Sequence, residues 1–361
     1  MNNENDFSKG SVIKAIVKLA TPMILAQIVH LLYNIVDRIY IGMMPENATH
    51  AMTGIGLTLP IISIIIAFTN LFGMGGAPLS SIARGKGDND EAEAIMGNSF
   101  ILLVILGALL TILGLIFKEP LLHLFGASSV TFPYANDYIT IYLTGSIFVM
   151  IGLGMNSFIN AQGFGKIGML TVVIGAVLNI ILDPIFIFVL DMGVKGAAIA
   201  TIISQFVSSV WIMMFLCGKK TILRLQVRNF RLHRRRVSKI VTLGFSGFIM
   251  AITNSAVQIV SNTSLQFYGG DLYVGIMTVI NSIREIITLP VTGFTNATQP
   301  VISYNYGARA YDRVRTSIKF MSVVCVLYTF IAWLILNIFP EFFIKIFNRN
   351  PELIENALSS L

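Results

Sequence analysis

The sequence predicts an all-α, polytopic membrane protein, and two observations support this prediction: the composition and the apolar runs. Of the 361 residues, 55% are apolar and 12% are charged, about half the charged share of an average soluble domain. Apolar runs of about 20 residues, enough for a helix to cross a bilayer, occur nine times. The runs are too long for the strands of a membrane β-barrel and lack their alternation.

The predicted spans are 18–43, 51–72, 95–117, 138–160, 168–190, 194–217, 240–266, 273–295 and 316–339. If the N-terminus is cytoplasmic, most of the 25 Lys and Arg residues also fall on the cytoplasmic side. Membrane proteins carry such an excess in their cytoplasmic loops. We therefore expect a multi-pass protein of the cytoplasmic (inner) membrane with a cytoplasmic N-terminus. The same distribution explains the net charge of +7 without a nucleic-acid partner.

The segment 218–239 is rich in Lys and Arg, contains no acidic residue and divides the chain into two halves. We expect a solvent-exposed cytoplasmic linker, and a surface that binds anionic lipid headgroups is the alternative. Similar Gly- and Pro-containing stretches recur about 220 residues apart, around Gly87 and Gly307. An even number of spans separates equivalent helices, which predicts two parallel-repeat lobes related by an axis along the membrane normal.

The predicted domains are an N-lobe of six helices at 1–217, the linker at 218–239 and a C-lobe at 240–361. By comparison with the N-lobe, about three of the six helices of the C-lobe are present. We therefore expect the sequence to be either a fragment of a longer protein or a natural truncation.

Three polar side chains share one face of the first predicted helix. His30, Asn34 and Asp37 fall within about 60° of arc at 100° per residue. A carboxyl inside a membrane costs about 2.5 to 3.5 kcal/mol on insertion scales, so it usually faces a cavity and carries function. Structural pairing of Asp37 is the alternative, but Arg38 lies about 100° around the helix and is a poor partner. For His30 we favour a structural role in the interior.

A second polar pair lies on the fifth predicted helix. Asn179 and Asp183 are four residues apart and therefore share a face. Pro184 removes the backbone donor that would bond to the carbonyl of Ile180. Side-chain oxygens beside a freed carbonyl suit Na⁺ or H⁺ better than a soft metal. The alternative is that Asp183 lies near the membrane interface at a helix end.

The later helices carry further polar residues that either form hydrogen bonds between helices or line a cavity. They are Thr201 and Gln205 on the sixth predicted helix and Asn254 and Gln258 on the seventh. The eighth contains Arg284 and Glu285, which either form a structural charge pair or mark a second coupling site. The chain has no phosphate-binding loop, zinc motif or nucleophile motif, so we expect no enzyme.

Three stretches of the sequence carry a family resemblance: ATPMILAQIVHLLYNIVDRIYIG, VLNIILDPIFIFVLDMGVKGAAIATIISQ and QPVISYNYGARAYDRVR. In these stretches the chain resembles bacterial-type transporters of the multidrug and toxic compound extrusion (MATE) family. The resemblance implies two six-helix lobes and the export of organic cations in exchange for Na⁺ or H⁺. It also implies an N-lobe cation site at Asp37, Asn179, Asp183 and Thr201.

The resemblance is weaker in the C-lobe. Some family members place an acidic coupling residue in helix 7, where this sequence offers only Asn254 and Gln258. Glu285 could take that role.

Our leading hypothesis is a cation-coupled exporter of lipophilic organic cations and drugs that works by alternating access. Asp37 and Asp183 would bind and release the coupling ion, and no other metal or cofactor is expected. The substrate cavity would be lined by His30, Asn34, Gln205, Asn254 and Gln258. We expect a monomer surrounded by membrane lipids. The alternatives are a lipid-linked oligosaccharide flippase of the same superfamily and a truncated, non-transporting membrane protein.

Overall fold

The computed structural model describes residues 7–44 and 48–347, without the side chains of 344–347 and of some residues between 259 and 278. The rest of the predicted C-lobe, 348–361, lies outside this range. The nine α-helices of the described range are α1 (Val12–Gly42), α2 (Ala48–Gly85), α3 (Asn89–Leu124), α4 (Phe132–Ala161), α5 (Gly165–Pro184), α6 (Gly193–Cys217), α7 (Arg234–Gly307), α8 (Tyr311–Ile338) and α9 (Pro340–Phe347).

Eight helical segments in the described ranges are long and apolar enough to cross a membrane. They comprise α1 to α6, the first part of α7 and α8. The predicted all-α, polytopic fold is therefore confirmed. The eighth predicted span, 273–295, lies in the later part of α7 and is not among these eight. The division into two repeat lobes stays a prediction.

Polar caps and a glycine set the ends of the first helices. Ser11 Oγ accepts a hydrogen bond from the Lys14 amide at the start of α1 (3.4 Å). Asp88 Oδ1 accepts one from the Glu91 amide at the start of α3 (2.9 Å). Such caps satisfy backbone donors that the first helical turn leaves unpaired. Gly87, with φ of +83°, makes the turn between α2 and α3.

Helix α7 doubles back on itself. Its residue Gly244 contacts Leu71 of α2, and its residue Gly307 contacts Ile82 of the same helix. Leu71 and Ile82 are about 17 Å apart along α2 at 1.5 Å per residue, whereas Gly244 and Gly307 would be about 95 Å apart along a straight helix. The predicted spans 240–266 and 273–295 therefore both lie within α7, and the chain reverses direction between its two ends.

Backbone contacts at glycines join α2 to both ends of α7. A Cβ atom on Gly244 would collide with the Leu71 carbonyl, and one on Gly75 would collide with the Ile240 carbonyl. Gly85 lies equally close to the Tyr304 carbonyl. Small residues allow membrane helices to pack at such short range. We refer to these contacts, together with that of Gly307 with Ile82, as the glycine seam.

The linker 218–239 is docked along one side on α3 and α4, while side chains such as Lys219, Val227 and Arg231 stay exposed as expected. Gln162 at the end of α4 is 1% exposed, and its Oε1 atom accepts three hydrogen bonds from the linker. The donors are the Thr221 hydroxyl (2.7 Å), the Ile222 amide (3.0 Å) and the Leu223 amide (2.7 Å). These hydrogen bonds hold the linker in place, because a donor or acceptor left buried without a partner costs about 1 to 3 kcal/mol.

Two buried side chains of α3 hold the rest of the linker. Glu93 accepts hydrogen bonds from the Arg224 amide (2.9 Å), Gln226 Nε2 (3.2 Å) and Asn229 Nδ2 (3.5 Å). Asn98 donates to the carbonyls of Asn229 (3.2 Å) and Arg231 (3.1 Å) and accepts from the His233 amide (3.0 Å). The linker is therefore an ordered part of the surface formed by the N-terminal ends of α3 and α7.

Residues before α1 are fixed against the turn between α7 and α8. Arg313 donates to the carbonyls of Phe7 (2.7 Å) and Gly10 (2.9 Å) and to Asn305 Oδ1 (2.8 Å). The Phe7 ring is buried, and the Arg84 guanidinium at the end of α2 lies 5.5 Å from its centroid. Residues 7–10 thus touch both α2 and the α7–α8 turn.

Candidate functional site

Two carboxyl groups from different helices meet inside the helical bundle. Asp183 on α5 is fully buried, and Asp37 on α1 is half-buried. The two carboxyl groups lie within hydrogen-bonding range of each other. Two carboxylates can share a hydrogen bond only if one of them carries a proton, since an ionised carboxylate is an acceptor only. A bound cation between them would neutralise the pair in the same way.

Asn179 and Thr201 complete a cluster of oxygen atoms around this pair. Asn179 Nδ2 donates to Asp183 Oδ1 (3.1 Å) and lies 3.5 Å from the Thr201 hydroxyl of α6. Three buried oxygens of the cluster have no hydrogen-bond donor among the described residues, namely Asp37 Oδ1, Asn179 Oδ1 and Asp183 Oδ2. Buried polar atoms are nearly always paired. Oxygen donors of this kind are those that a hard cation such as Na⁺ binds.

The backbone after Asp183 is not a regular α-helix. Helix α5 ends at Pro184, and a π-helical turn follows at Ile185–Val189. Pro184 cannot donate a backbone hydrogen bond, which weakens the α-helical pattern at this point. Gly196 of α6 packs directly against the Phe186 carbonyl, and this close approach brings Thr201 towards α5. Single π-turns inside helices frequently mark functional sites.

A cavity of about 360 Å³ opens beside the carboxyl pair. The predicted residues that line it are His30, Asn34, Asp37, Asn179, Thr201, Gln205 and Glu285. The structure thus brings together residues of α1, α5, α6 and α7 that are far apart in sequence. Arg38 is the only Lys or Arg among the residues that line this cavity, whereas Asp37 and Glu285 are acidic. The acidic groups of the carboxyl cluster and of this wall therefore favour a positively charged ligand in the cavity.

A second cavity, of about 320 Å³, adjoins the first. Both include His30 and Asn156 in their walls. Six carboxamide side chains line the second cavity, and no charged side chain does: Gln27, Asn70, Asn156, Asn160, Asn296 and Gln299. The Oδ1 atoms of Asn156 and Asn160 are buried and find no donor in the described part of the chain. We call this space the amide chamber.

Two of the predicted cavity residues and part of the predicted second site lie elsewhere. Asn254 and Gln258 are exposed and line neither cavity, because the contacts of early α7 with α2 lie nearer its start, at Gly244 and Phe248. Arg284 is also exposed and forms no ion pair with another described residue. Arg284 therefore joins no structural charge pair within the described residues, and the adjacent Glu285 lines the first cavity instead.

Three tyrosines in the wall of the first cavity were not predicted from the sequence. Tyr33 lies on α1, and Tyr138 and Tyr142 are buried on α4. The last two stack with their ring centroids 6.1 Å apart. Their spacing of four residues inside an apolar helix was the available signal, because it puts both rings on one face. The amides of the second cavity could have been found in the same way, since Asn156 and Asn160 are also four residues apart.

Comparison with known proteins adds an independent line of support. The MatE family model matches residues 22–185 and 247–361. A multidrug export protein MepA from Staphylococcus haemolyticus is 26% identical over 350 residues, which cover 96% of this chain and 76% of that protein. MepA from Staphylococcus aureus is 27% identical over 332 residues, which cover 90% and 72%.

Solved structures of transporters have the same fold. An outward-facing multidrug resistance MATE family transporter of the MOP superfamily matches with a TM-score of 0.92 and 26% identity, over 100% of this chain and 80% of that one. A MOP superfamily transporter from Pyrococcus furiosus, described as having a binding pocket of reverse polarity, matches with a TM-score of 0.91, 27% identity and the same coverage. The family match covers most of the chain and confirms the resemblance seen in the sequence: this protein belongs to the MatE family.

Proposed function

We propose that this protein exports lipophilic organic cations and drugs across the cytoplasmic membrane in exchange for Na⁺ or H⁺. The observation that carries the proposal is the pair of Asp37 and Asp183 with three buried, unpartnered oxygens beside a cavity of about 360 Å³. The relatives named as multidrug export proteins support the export of drugs.

Exchange follows if the coupling ion and the drug compete for the same negative charge. With Na⁺ or protons on Asp37 and Asp183, the pair is neutral and attracts an organic cation weakly. Without them, a charge in a low-dielectric cavity attracts a cation strongly, because Coulomb energy rises as the dielectric constant falls. Binding of one ligand therefore lowers the affinity for the other by the same factor. No further cofactor is needed for this cycle.

The remaining wall suits the apolar and aromatic parts of such a drug. Tyr33, Tyr138 and Tyr142 present aromatic rings, which attract organic cations through their faces. A cavity of this size, mostly apolar with a few polar groups, is typical of drug-sized ligands. The adjoining amide chamber offers uncharged hydrogen-bonding groups, which suits ligands that carry different polar groups.

Alternating access would require α2 and α7 to separate at the glycine seam. The seam joins α2 to both ends of α7 without side-chain hydrogen bonds at those glycines, so parting it would expose few unpaired polar groups. We propose that the seam closes the cytoplasmic side, with the N-terminus and the linker 218–239 in the cytoplasm. We also propose that the transporter works as a monomer within the lipid.

The polarity of the cavity argues against a lipid-linked oligosaccharide flippase. Such a substrate carries a pyrophosphate, which would need several cationic side chains. Arg38 is the only Lys or Arg in the wall of the first cavity, and the amide chamber has neither. The second alternative, a non-transporting protein, predicts that Na⁺ leaves the fluorescence of Trp211 and Trp333 unchanged. A saturable Na⁺ response that Asp37→Asn abolishes would reject it.

The test of the proposal is efflux from proteoliposomes that contain the full chain. Ethidium is loaded, and a Na⁺ or a proton gradient is imposed in turn. We expect gradient-driven efflux, and we expect Asp183→Asn to slow it at least tenfold because the pair then loses one ionisable group. Asp191→Asn is the matched control: Asp191 is exposed beyond the π-turn, and its positive φ of 49° suits asparagine. Efflux by Asp183→Asn at the parent rate would refute the mechanism.

A further inference from the structure

The linker carries exposed basic side chains that form no ion pair with any residue that the structure describes. Six of them are Lys219, Lys220, Arg224, Arg231, Arg234 and Arg235. We call this group the linker basic face. It is more than a charged stretch of sequence, because the backbone that bears it is held in one conformation.

Two other arginines of the linker pair with acidic groups at the start of α3. Arg236 donates two hydrogen bonds to Glu91 Oε2 (2.9 and 2.7 Å), and Arg228 lies 3.3 Å from Asp90 and 3.5 Å from Glu93. Arg228 and Arg236 thus pair with acids of α3, and the side chains of the linker basic face form no ion pair with any described residue.

Exposed apolar side chains lie among these basic residues. Val227 is 79% exposed and Leu232 is 42% exposed, although neighbouring Leu223 and Leu225 are buried. Solvated loops seldom need such residues, whereas surfaces that lie at a bilayer interface combine basic and apolar side chains. The linker also joins the ends of two membrane-crossing helices, α6 and α7, so it lies at the depth of the lipid headgroups.

We propose that the linker basic face binds the anionic phospholipid headgroups of the adjacent leaflet, with Val227 and Leu232 inserted beside the acyl chains. Basic residues near an anionic membrane surface each contribute to binding. The buried contacts with Glu93, Asn98 and Gln162 hold the linker in place beforehand, so little conformational freedom is lost when lipid binds. This interaction is independent of drug export and can be measured on protein that does not transport.

The experiment titrates the purified full chain in detergent with phosphatidylglycerol or with phosphatidylcholine and measures bound lipid by native mass spectrometry. We expect tighter binding of phosphatidylglycerol. The triple variant Arg231→Gln, Arg234→Gln, Arg235→Gln should weaken it by about 100-fold, at about fivefold per basic residue, and leave phosphatidylcholine unaffected. The control triple Lys166→Gln, Arg315→Gln, Lys319→Gln removes equally exposed basic residues from other helices and should change binding by less than about threefold.

Two further arms separate a membrane surface from other sources of phosphate. Glycerol 3-phosphate, which has no acyl chains, should not displace the lipid at matched concentration. Val227→Ser should weaken binding of phosphatidylglycerol, because an apolar anchor is lost. Equal binding of the two lipids, equal losses in the two triple variants, or full displacement by glycerol 3-phosphate would each overturn the proposal. Both triple variants alter exposed side chains, and an unchanged unfolding temperature verifies that they fold.

Discussion

Replacement of Glu93 by Gln should release the linker from α3. Glu93 is 8% exposed, and its Oε2 atom accepts from Gln226 Nε2 (3.2 Å) and Asn229 Nδ2 (3.5 Å). In Glu93→Gln one carboxylate oxygen becomes an NH₂ group, and it then faces two donors. A hydrogen bond to a charged group contributes about 1.5 to 3 kcal/mol. We therefore expect the linker to lose about 2 kcal/mol of local stability.

The loss can be measured as faster tryptic cleavage at the linker arginines. When local opening is fast relative to cleavage, the rate follows the population of the open state. A loss of about 2 kcal/mol raises that population about 30-fold, since each 1.4 kcal/mol is a factor of ten. Cleavage after Arg224 and Arg231, followed by mass spectrometry on the full chain in detergent, should accelerate by this factor in Glu93→Gln.

A neighbouring acid provides the control. Asp90 lies 3.3 Å from Arg228, but its side chain is 92% exposed, and exposed ion pairs contribute only about 0 to 1 kcal/mol. Asp90→Asn should therefore accelerate cleavage by no more than about fivefold. If Glu93→Gln is cleaved no faster than the parent, or if both variants are cleaved alike, then buried hydrogen bonds do not hold the linker.

Two other substitutions test the packing of the bundle. Gly244→Ala should destabilise the protein by about 1 to 3 kcal/mol, because its Cβ would collide with the Leu71 carbonyl. Gly247→Ala is the control and should leave the stability unchanged, because a Cβ atom there meets nothing within 4 Å. Equal unfolding temperatures of the two variants would contradict close packing at the glycine seam. Arg313→Ala removes the donors to the Phe7 and Gly10 carbonyls, so hydrogen exchange at residues 7–10 should become faster. An unchanged exchange rate would show that other contacts hold these residues in place.

Much of the fold follows from the sequence because a bilayer imposes a simple rule. Segments that cross it must be apolar and long enough, and only closed hydrogen-bonding patterns such as helices satisfy their backbone. The core of the candidate site follows from the same rule, since Asp37 and Asp183 are too costly in an apolar span to be there by chance. Their meeting across α1 and α5 needed the family resemblance, because face positions on one helix do not say which helix lies opposite.

Features that depend on contacts between distant residues could not be predicted in this way. Glu93, Asn98 and Gln162 hold a linker that lies at least 59 residues away in sequence, and a polar residue near a helix end is ordinarily solvated. The same limit applies to Asn254 and Gln258, which were expected in the cavity wall but line neither cavity. Helical periodicity correctly puts them on one side of α7, but it cannot tell whether a neighbouring helix covers that side.

The glycine seam and the first cavity place different constraints on how this sequence can vary. At Gly75 and Gly244 the requirement is one of volume alone, because a backbone carbonyl occupies the space of any side chain. Around Tyr138 and Gln205 the requirement is chemical and depends on the ligand. Among orthologues we therefore expect only glycine along the seam, and divergent residues in the cavity wall. Drug preference could then evolve by point substitution while the helix packing stays unchanged.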